Sequence, residues 1–370
     1  MRIAYLFNSA TPSYIPSSIQ VVNTCGALVA LSHKVKLIVP NTGNKVSLKK
    51  FYGINKAPKL IKFRYFNKFP LGIYYYLFSI FSVAYTIFDR TELYITRNIF
   101  NLILLNILKK RVIVEIHNDL QSEGRLVKFL CKYTNVFNKK NIVKIVVITN
   151  AVKKHLVKNF NIDSKKIDVI SSASSFKFKF KKLKKKNFYN IGYFGSLDSS
   201  KGSKFIIKLA KKDEHNKYSI YGGTQYDVSR LKKRGIPNNL KINQSVEYGS
   251  LKPIISKMDI LLMPPSSKKI RSSGGIGNIV KFTSPLKLFD YLAAGRIIVA
   301  SKSQSYSHIL KDNINSILCD SSNLDKWVKT LKDISKNKIN FSKLKKNSLE
   351  TAKHFSWCYR IEKIINFIVK

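Results

Sequence analysis

Residues 281–301 read KFTSPLKLFDYLAAGRIIVAS, a sharp helix start that runs into an apolar strand. Ser284 suits an N-cap, because its hydroxyl can accept from an orphan backbone N–H. Pro285 suits the first helical position, where a preset φ helps and the missing N–H had no partner. Leu286, Phe289, Leu292 and Ala293 follow at helical spacing, and Gly295 stands where a left-handed C-cap belongs. The RIIVAS that follows is the short apolar run of a strand. The helix mouth offers free N–H groups and a partial positive charge, to which Lys287 adds a full one, although the dipole alone would prefer an acid there. The combination favours a bound anion. An ordinary capped helix with a solvated lysine accounts for the same residues, and this segment alone does not separate the two.

Outward from this stretch the same grammar repeats. RIAYLF leads to the helix-like SIQVVNTCGALVAL and then to KVKLIVP; ELYITR, RVIVEIH and IVKIVVIT each precede a polar or amphipathic segment. Strands rich in β-branched residues and separated by helices imply a parallel sheet covered on both faces. The pattern breaks at 171–187, SSASSFKFKFKKLKKKN, where seven lysines fall between Lys177 and Lys186. This reads as a hinge followed by a basic rim, although Lys alternating with Phe178 and Phe180 also fits a half-buried strand. A second alternation follows: YNIGYFGSL, a helix from about Gly202, YSIYGG, KINQSVEYGS, DILLMPPS, the opening helix and RIIVAS. The expectation is α/β, with two Rossmann-like domains whose parallel sheets face a central cleft. The first spans 1–172, a basic linker 173–187, and the second 188–353. In the tail 354–370, Ile361, Ile364, Ile365 and Ile368 share one helical face, which must dock on a core.

The chain has 370 residues, enough for two cores, and is 45% hydrophobic with a mean hydropathy of −0.11. Its 67 Lys and Arg against 20 Asp and Glu leave a net charge of +47, a field that draws nucleotides, polyanions and anionic bilayers. Cys25, Cys131, Cys319 and Cys358 show neither CxxC nor His-spaced pairs, so no zinc site, other metal site or disulfide framework is indicated. The N-terminus reads as a buried strand and not as a signal peptide, and the expected location is cytoplasmic. Residues 69–88, FPLGIYYYLFSIFSVAYTIF, carry no charge and approach the ~20 residues that cross a bilayer. Pro70, Gly72, Ser79, Ser82, Thr86 and the tyrosines dilute the stretch, and a helix core or a membrane-surface contact uses the same composition.

In GYFGSLDSSKGSKFIIKLA, from Gly192, a strand turns into a helix, the place where a doubly wound sheet binds phosphate. Gly195 permits close backbone approach, Ser196 offers a hydroxyl, and Lys201 with Gly202 sits at the helix entrance. The two segments share a lysine at a helix N-terminus beyond the end of a parallel strand.

These motifs resemble those of glycosyltransferase family 4, retaining enzymes of the GT-B fold, in its SPLK-type, group 1 form. SPLKLFDYLAAGRIIVAS looks like that family's donor segment and IGYFGSLDSSKG like its phosphate loop. PSSIQVVNTCGALVALSHKVKLIVP is similar to its first βαβ unit, VIVEIHNDL to a strand end of its first domain, and FSWCYRIEKI to its closing helix. The resemblance implies a transferase that moves a sugar from a nucleotide donor, UDP-linked in the leading reading, to a saccharide or lipid-linked acceptor in bacterial surface polysaccharide assembly. It implies that Lys201 and Lys287 hold the donor diphosphate together with Gly195, Ser196, Gly202 and the backbone of Ser284, Pro285, Leu286, Lys287 and Leu288. Asp290 would bind the ribose hydroxyls, and His117 would line the sugar pocket. No cofactor is implied beyond the nucleotide sugar itself.

The chain departs from the family pattern at four places. Of two glutamates spaced eight residues apart, the second is Asp290 and the first position is Phe282; Ser196 replaces an arginine and His308 a glutamate. The loop 266–282, with Gly274, Gly275, Gly277, Arg271 and Lys281, reads equally as a lid over the donor and as a surface loop. Arg125, Lys128 and Lys132 fall on one face of a helix and, with the lysine run, suggest peripheral contact with anionic membrane. A sugar-nucleotide epimerase of related fold is the nearer rival reading. A nucleic-acid-binding protein is the more distant one, since no RRM, OB, KH or helix-turn-helix signature appears.

Overall fold

The computed structural model describes residues 1–370 except 42, 44, 65–69, 119, 121–122, 182–185, 267–279, 321–322, 337–340 and 367–370. The chain divides into two α/β units: Met1–Ser172 with Trp357–Lys370, and Ala173–Ser272 with Asn278–Ser356.

The first unit runs β1 (Arg2–Leu6), α1 (Pro16–Ala30), β2 (Lys34–Asn41), α2 (Leu48–Tyr52), β3 (Lys59–Arg64), α3 (Leu71–Tyr85), β4 (Leu93–Thr96), α4 (Ile99–Ile107), β5 (Val112–Ile116), α5 (Arg125–Thr134), β6 (Ile142–Val147), α6 (Asn150–Phe160) and β7 (Ile167–Val169). All seven strands pair in parallel in the order β3-β2-β1-β4-β5-β6-β7. The order reverses direction between β1 and β4, where Ile3 lies opposite Leu93. Every residue of β4 and β5 is buried, as expected of strands covered on both faces.

The second unit holds β8 (Asn190–Phe194), α7 (Ser203–Lys212), β9 (Lys217–Tyr221), α8 (Gln225–Lys232), β10 (Leu240–Asn243), α9 (Leu251–Ser256), β11 (Ile260–Met263), α10 (Leu286–Ala294), β12 (Ile297–Ser301), β13 (Ile317–Cys319), α11 (Leu324–Ser335) and α12 (Phe341–Lys353). Its six parallel strands lie in the order β10-β9-β8-β11-β12-β13, with the reversal between β8 and β11. Trp327 of α11, fully buried and edge-on to Phe205, joins Tyr189, Ile206 and Leu331 in the core.

The last helix, α13 (Trp357–Ile365), returns to the first unit and packs on α1. It buries Trp357, Arg360, Ile361, Ile364 and Ile365, while Ile368 lies outside the described residues. Within 171–187, Ser174 and Phe176 are buried in the second unit, and no strand forms among the described residues there. Lys186, exposed along its stem, is paired at its tip: its Nζ lies 2.8 Å from both oxygens of the buried Asp259. Among the described residues no helix is long and apolar enough to cross a membrane; α3 is 15 residues long.

Candidate functional site

In the second unit the loop after β8 and the mouth of α10 meet at the sheet's switch point. Two contacts aim α10. Phe194 N–H, at the end of β8, donates to Tyr291 OH at 2.9 Å, and Lys287 lies one turn earlier on the same face as Tyr291. Its Nζ accordingly sits 4.2 Å from the centre of the Tyr193 ring and 3.5 Å from where a Cβ on Gly195 would stand. Tyr193 OH reaches the carbonyls of Ser196 at 3.1 Å and Lys201 at 3.2 Å, holding the 195–202 loop around the ammonium.

The loop's shape depends on two glycines. A Cβ on Gly222 would fall on the Gly195 carbonyl, so the backbones after β8 and β9 touch. Gly202, at φ +91°, closes a short turn over 199–201 and rests on Pro264 and Pro265, which follow β11. Asp198 caps that turn by accepting from Ser200 N–H at 2.8 Å.

The helix begins one residue later than the sequence suggests. Pro285, extended at φ −70° and ψ 125°, is the N-cap residue, and no side chain caps the helix. The reason is local: the ψ of Pro285 is extended, so the first residue with a helical backbone is Leu286 and Ser284 stands one position too early to cap. Gly295 closes the helix at φ +56°. Pro285 has no N–H and Leu288 N–H donates to the Pro285 carbonyl at 3.0 Å, so the donors facing outward are those of Leu286 and Lys287.

Burial of the Lys287 ammonium, and then the charge of Lys201, lower its pKa to about 7. Two cations near enough to oppose each other's charge are an arrangement that can cradle an anion. Asp290 is buried, and both of its bonds fall on Oδ1, which accepts from Ser174 Oγ at 2.6 Å and from Tyr248 OH at 2.7 Å. Desolvation raises its carboxyl to about 7 against the lowering effect of those two bonds. Phe176 stacks on Tyr248 at 4.9 Å, which fixes that phenol. A recess of about 400 Å³ opens beside the same loop, lined by Ser196 to Ser199, Gly223, Asp227 and Arg230. Neither lysine lines it, so the cradle is a separate feature.

His117 belongs to the first unit. It follows β5 directly, and Gln20 Nε2 lies 3.2 Å from its Nε2. An amide nitrogen only donates, so His117 accepts there and carries its proton on Nδ1. Burial, with Arg97 and Arg360, holds its pKa well below the usual histidine value. Glu115, one turn of strand earlier, is not an available base. Tyr5 OH donates to its Oε2 and Arg360 Nη2 to its Oε1, each at 2.7 Å. Burial alone would raise Glu115, but Arg360, Arg97 and these bonds hold it below the ordinary value. Arg97 Nη1 and Arg360 Nη1 have no hydrogen-bond partner among the described residues, and the charges of both guanidiniums act on Glu115 and on His117.

Asp119 and the 267–279 part of the loop lie outside the described residues. Among those described, no group of three or more His, Cys, Asp and Glu converges on one point. Sequence reasoning passed over Tyr193, Tyr248, Ser174, Arg97 and Arg360. Arg360 was findable, because it shares the inward spacing of Trp357, Ile361 and Ile364 and a cation on such a face needs a buried anion.

Residues 174–353 match the family described as glycosyl transferases group 1. No curated protein matches the sequence. Solved structures share the GT-B fold across the whole chain. HepE of Anabaena, in complex with UDP, is 13% identical at a TM-score of 0.70, covering 100% of both chains. Sucrose-phosphate synthase of Thermosynechococcus elongatus is 12% identical at 0.72, covering 100% of this chain and 98% of its own. TarM of S. aureus, in complex with fondaparinux, alpha-GlcNAc-glycerol and UDP, is 11% identical at 0.72, covering 100% of both.

Proposed function

Through residues 174–353 the chain belongs to the group 1 glycosyl transferases, and from that premise we propose that it moves a sugar from a UDP-linked donor to a saccharide or lipid-linked acceptor, with retention, in the cytoplasmic assembly of a bacterial surface polysaccharide. The observation that carries the reading is the Lys287 ammonium held over Tyr193 within reach of the charge of Lys201, at a helix mouth beyond the end of β8. Structures of the same fold bound to UDP, UDP-glucose and alpha-GlcNAc-glycerol support the substrate class.

In the proposed reaction the donor's diphosphate lies between the two ammonium groups and the N–H groups of Leu286 and Lys287. As the bond from the sugar C1 to the β-phosphate oxygen breaks, that oxygen gains charge. Cations already in place stabilise the transition state more than the ground state. The acceptor hydroxyl attacks C1 from the face the diphosphate is leaving, and its proton passes to the departing phosphate oxygen. The engagement of Glu115 by Tyr5 and Arg360 favours this route over one that needs a carboxylate base. Asp290 would offer Oδ2 to the ribose, since Oδ1 is committed. His117, neutral, would position the sugar.

Lys287→Ala and Lys201→Ala should each weaken UDP-glucose binding about 10- to 100-fold, the loss of one charge-assisted phosphate contact, with an unchanged unfolding midpoint. NMR of the product tests the stereochemistry: a β-linked product from an α-linked donor would overturn retention. Wild-type turnover in both lysine variants would overturn the cradle.

A further inference from the structure

The first unit holds an arginine that its fold does not use. Arg97 follows β4 directly, where the strand order reverses between β1 and β4, the place where a doubly wound sheet takes its ligand. The backbone just beyond it is pinned: Thr96 Oγ1 accepts from Asn98 N–H at 3.0 Å, and Asn98 Oδ1 caps α4 by accepting from Phe100 N–H at 2.8 Å. The guanidinium takes no part in this bonding. Its Nη1 is buried without a partner among the described residues, while part of the residue stays open to solvent. Arg360 arrives from α13 with the same deficit: Nη2 lies 2.7 Å from Glu115 Oε1 and Nε donates to the Ser171 carbonyl at 3.1 Å, but Nη1 has no partner among the described residues. Glu115 pairs directly with Arg360, and the charge of Arg97 acts on it at longer range. One carboxylate against two guanidiniums leaves one positive charge in excess, in a place where burial penalises charge. An arginine that only packed would be better replaced by an apolar side chain, so the unused donors point to a ligand.

We propose that Arg97 and Arg360 form a receptor for an anionic group, a phosphate or a carboxylate, carried by the sugar acceptor. The inference rests on the transferase reading, in which the donor's diphosphate is taken by the Lys287 cradle of the second unit; an anion held in the first unit then belongs to the other substrate. A guanidinium presents a planar fork of N–H donors that matches the oxygens of a carboxylate or a phosphate, and each of the two has a spare Nη1. Neutral His117, on which both charges act, follows the next strand in the sheet and offers the ligand no competing charge. Glu115 does not compete with the ligand either, because Tyr5 OH and Arg360 Nη2 hold its two oxygens.

The test is titration calorimetry of the full chain in about 0.3 M salt, which screens its general charge, with methyl glucoside, glucuronate and glucose 1-phosphate as probes. Tighter binding of glucuronate or of glucose 1-phosphate than of the glucoside is expected, and the tighter of the two identifies the group as carboxylate or phosphate. Arg97→Gln should weaken that binding at least about tenfold, the loss of a charge-assisted contact, whereas Lys287→Ala should retain it. The unfolding midpoint of Arg97→Gln should not fall, since no internal hydrogen bond is lost. Equal binding of all three sugars, no binding, or loss in Lys287→Ala and not in Arg97→Gln would each overturn the proposal. So would a fall in midpoint as large as that of Arg360→Met, because Arg97 would then have its partner within the fold. UDP-glucose binding by the Arg97→Gln protein, measured alongside, reads the cradle by itself, so failure of the receptor leaves the transferase reading standing.

Discussion

Lys287 is the residue whose chemistry depends most on its surroundings. On a solvated helix start it would stay charged well above neutrality; over Tyr193 and near Lys201 it titrates at about 7. A bound diphosphate holds the proton on, so the bound pKa exceeds the free one. Affinity for UDP-glucose, whose diphosphate has no proton to lose in this range, should be flat below about pH 7. It should fall as pH rises beyond that value, by up to about tenfold per pH unit until the bound pKa is passed. Lys287→Arg should flatten the profile between pH 6.5 and 8.5, because a guanidinium keeps its proton there. Titration calorimetry across that range reads both outcomes, and a wild-type profile that is already flat would place the ammonium elsewhere.

Among the elements, α13 does more than cover α1. It carries Arg360 into the interior, where Nη2 meets Glu115 and Nε donates to the Ser171 carbonyl at 3.1 Å. Removing one partner of a buried ion pair leaves the other charged and unpaired, at about 3–5 kcal/mol. Arg360→Met should therefore destabilise the first unit by that amount in urea unfolding. The double variant with Glu115→Gln should regain a large part of it. If the double variant were no more stable than Arg360→Met, the lost stability would come from packing of the arginine stem and not from the orphaned carboxylate.

At the scale of the molecule, the net charge of +47 attracts any polyanion, and salt separates attraction from recognition. Binding of single-stranded DNA should fall by about a thousandfold or more between 50 and 500 mM salt, as counterion release requires. Binding of UDP-glucose in a desolvated cradle is screened much less, and its thermal shift should persist at 500 mM. DNA affinity that survived high salt would favour the nucleic-acid reading over the transferase one.

The sequence by itself determined the two parallel sheets, because strands buried on both faces must be apolar along their whole length, as RIAYLF, RVIVEIH and RIIVAS are. The edge strands β3, β7 and β13 escaped that reading: β7 and β13 are three residues each, and β3, KLIKFR, carries three cations, which a half-covered edge permits. The helix over 286–294 was legible from its spacing and its Gly295 stop, but its first residue was not, since proline grammar allows either start. Only the tertiary structure decided that Lys287 hangs over Tyr193 and that Ser174 and Tyr248 hold Asp290. It alone decided that Glu115 is closed off by a residue 245 positions away. Each depends on partners brought together by packing over long stretches of chain, and local spacing carries no trace of them.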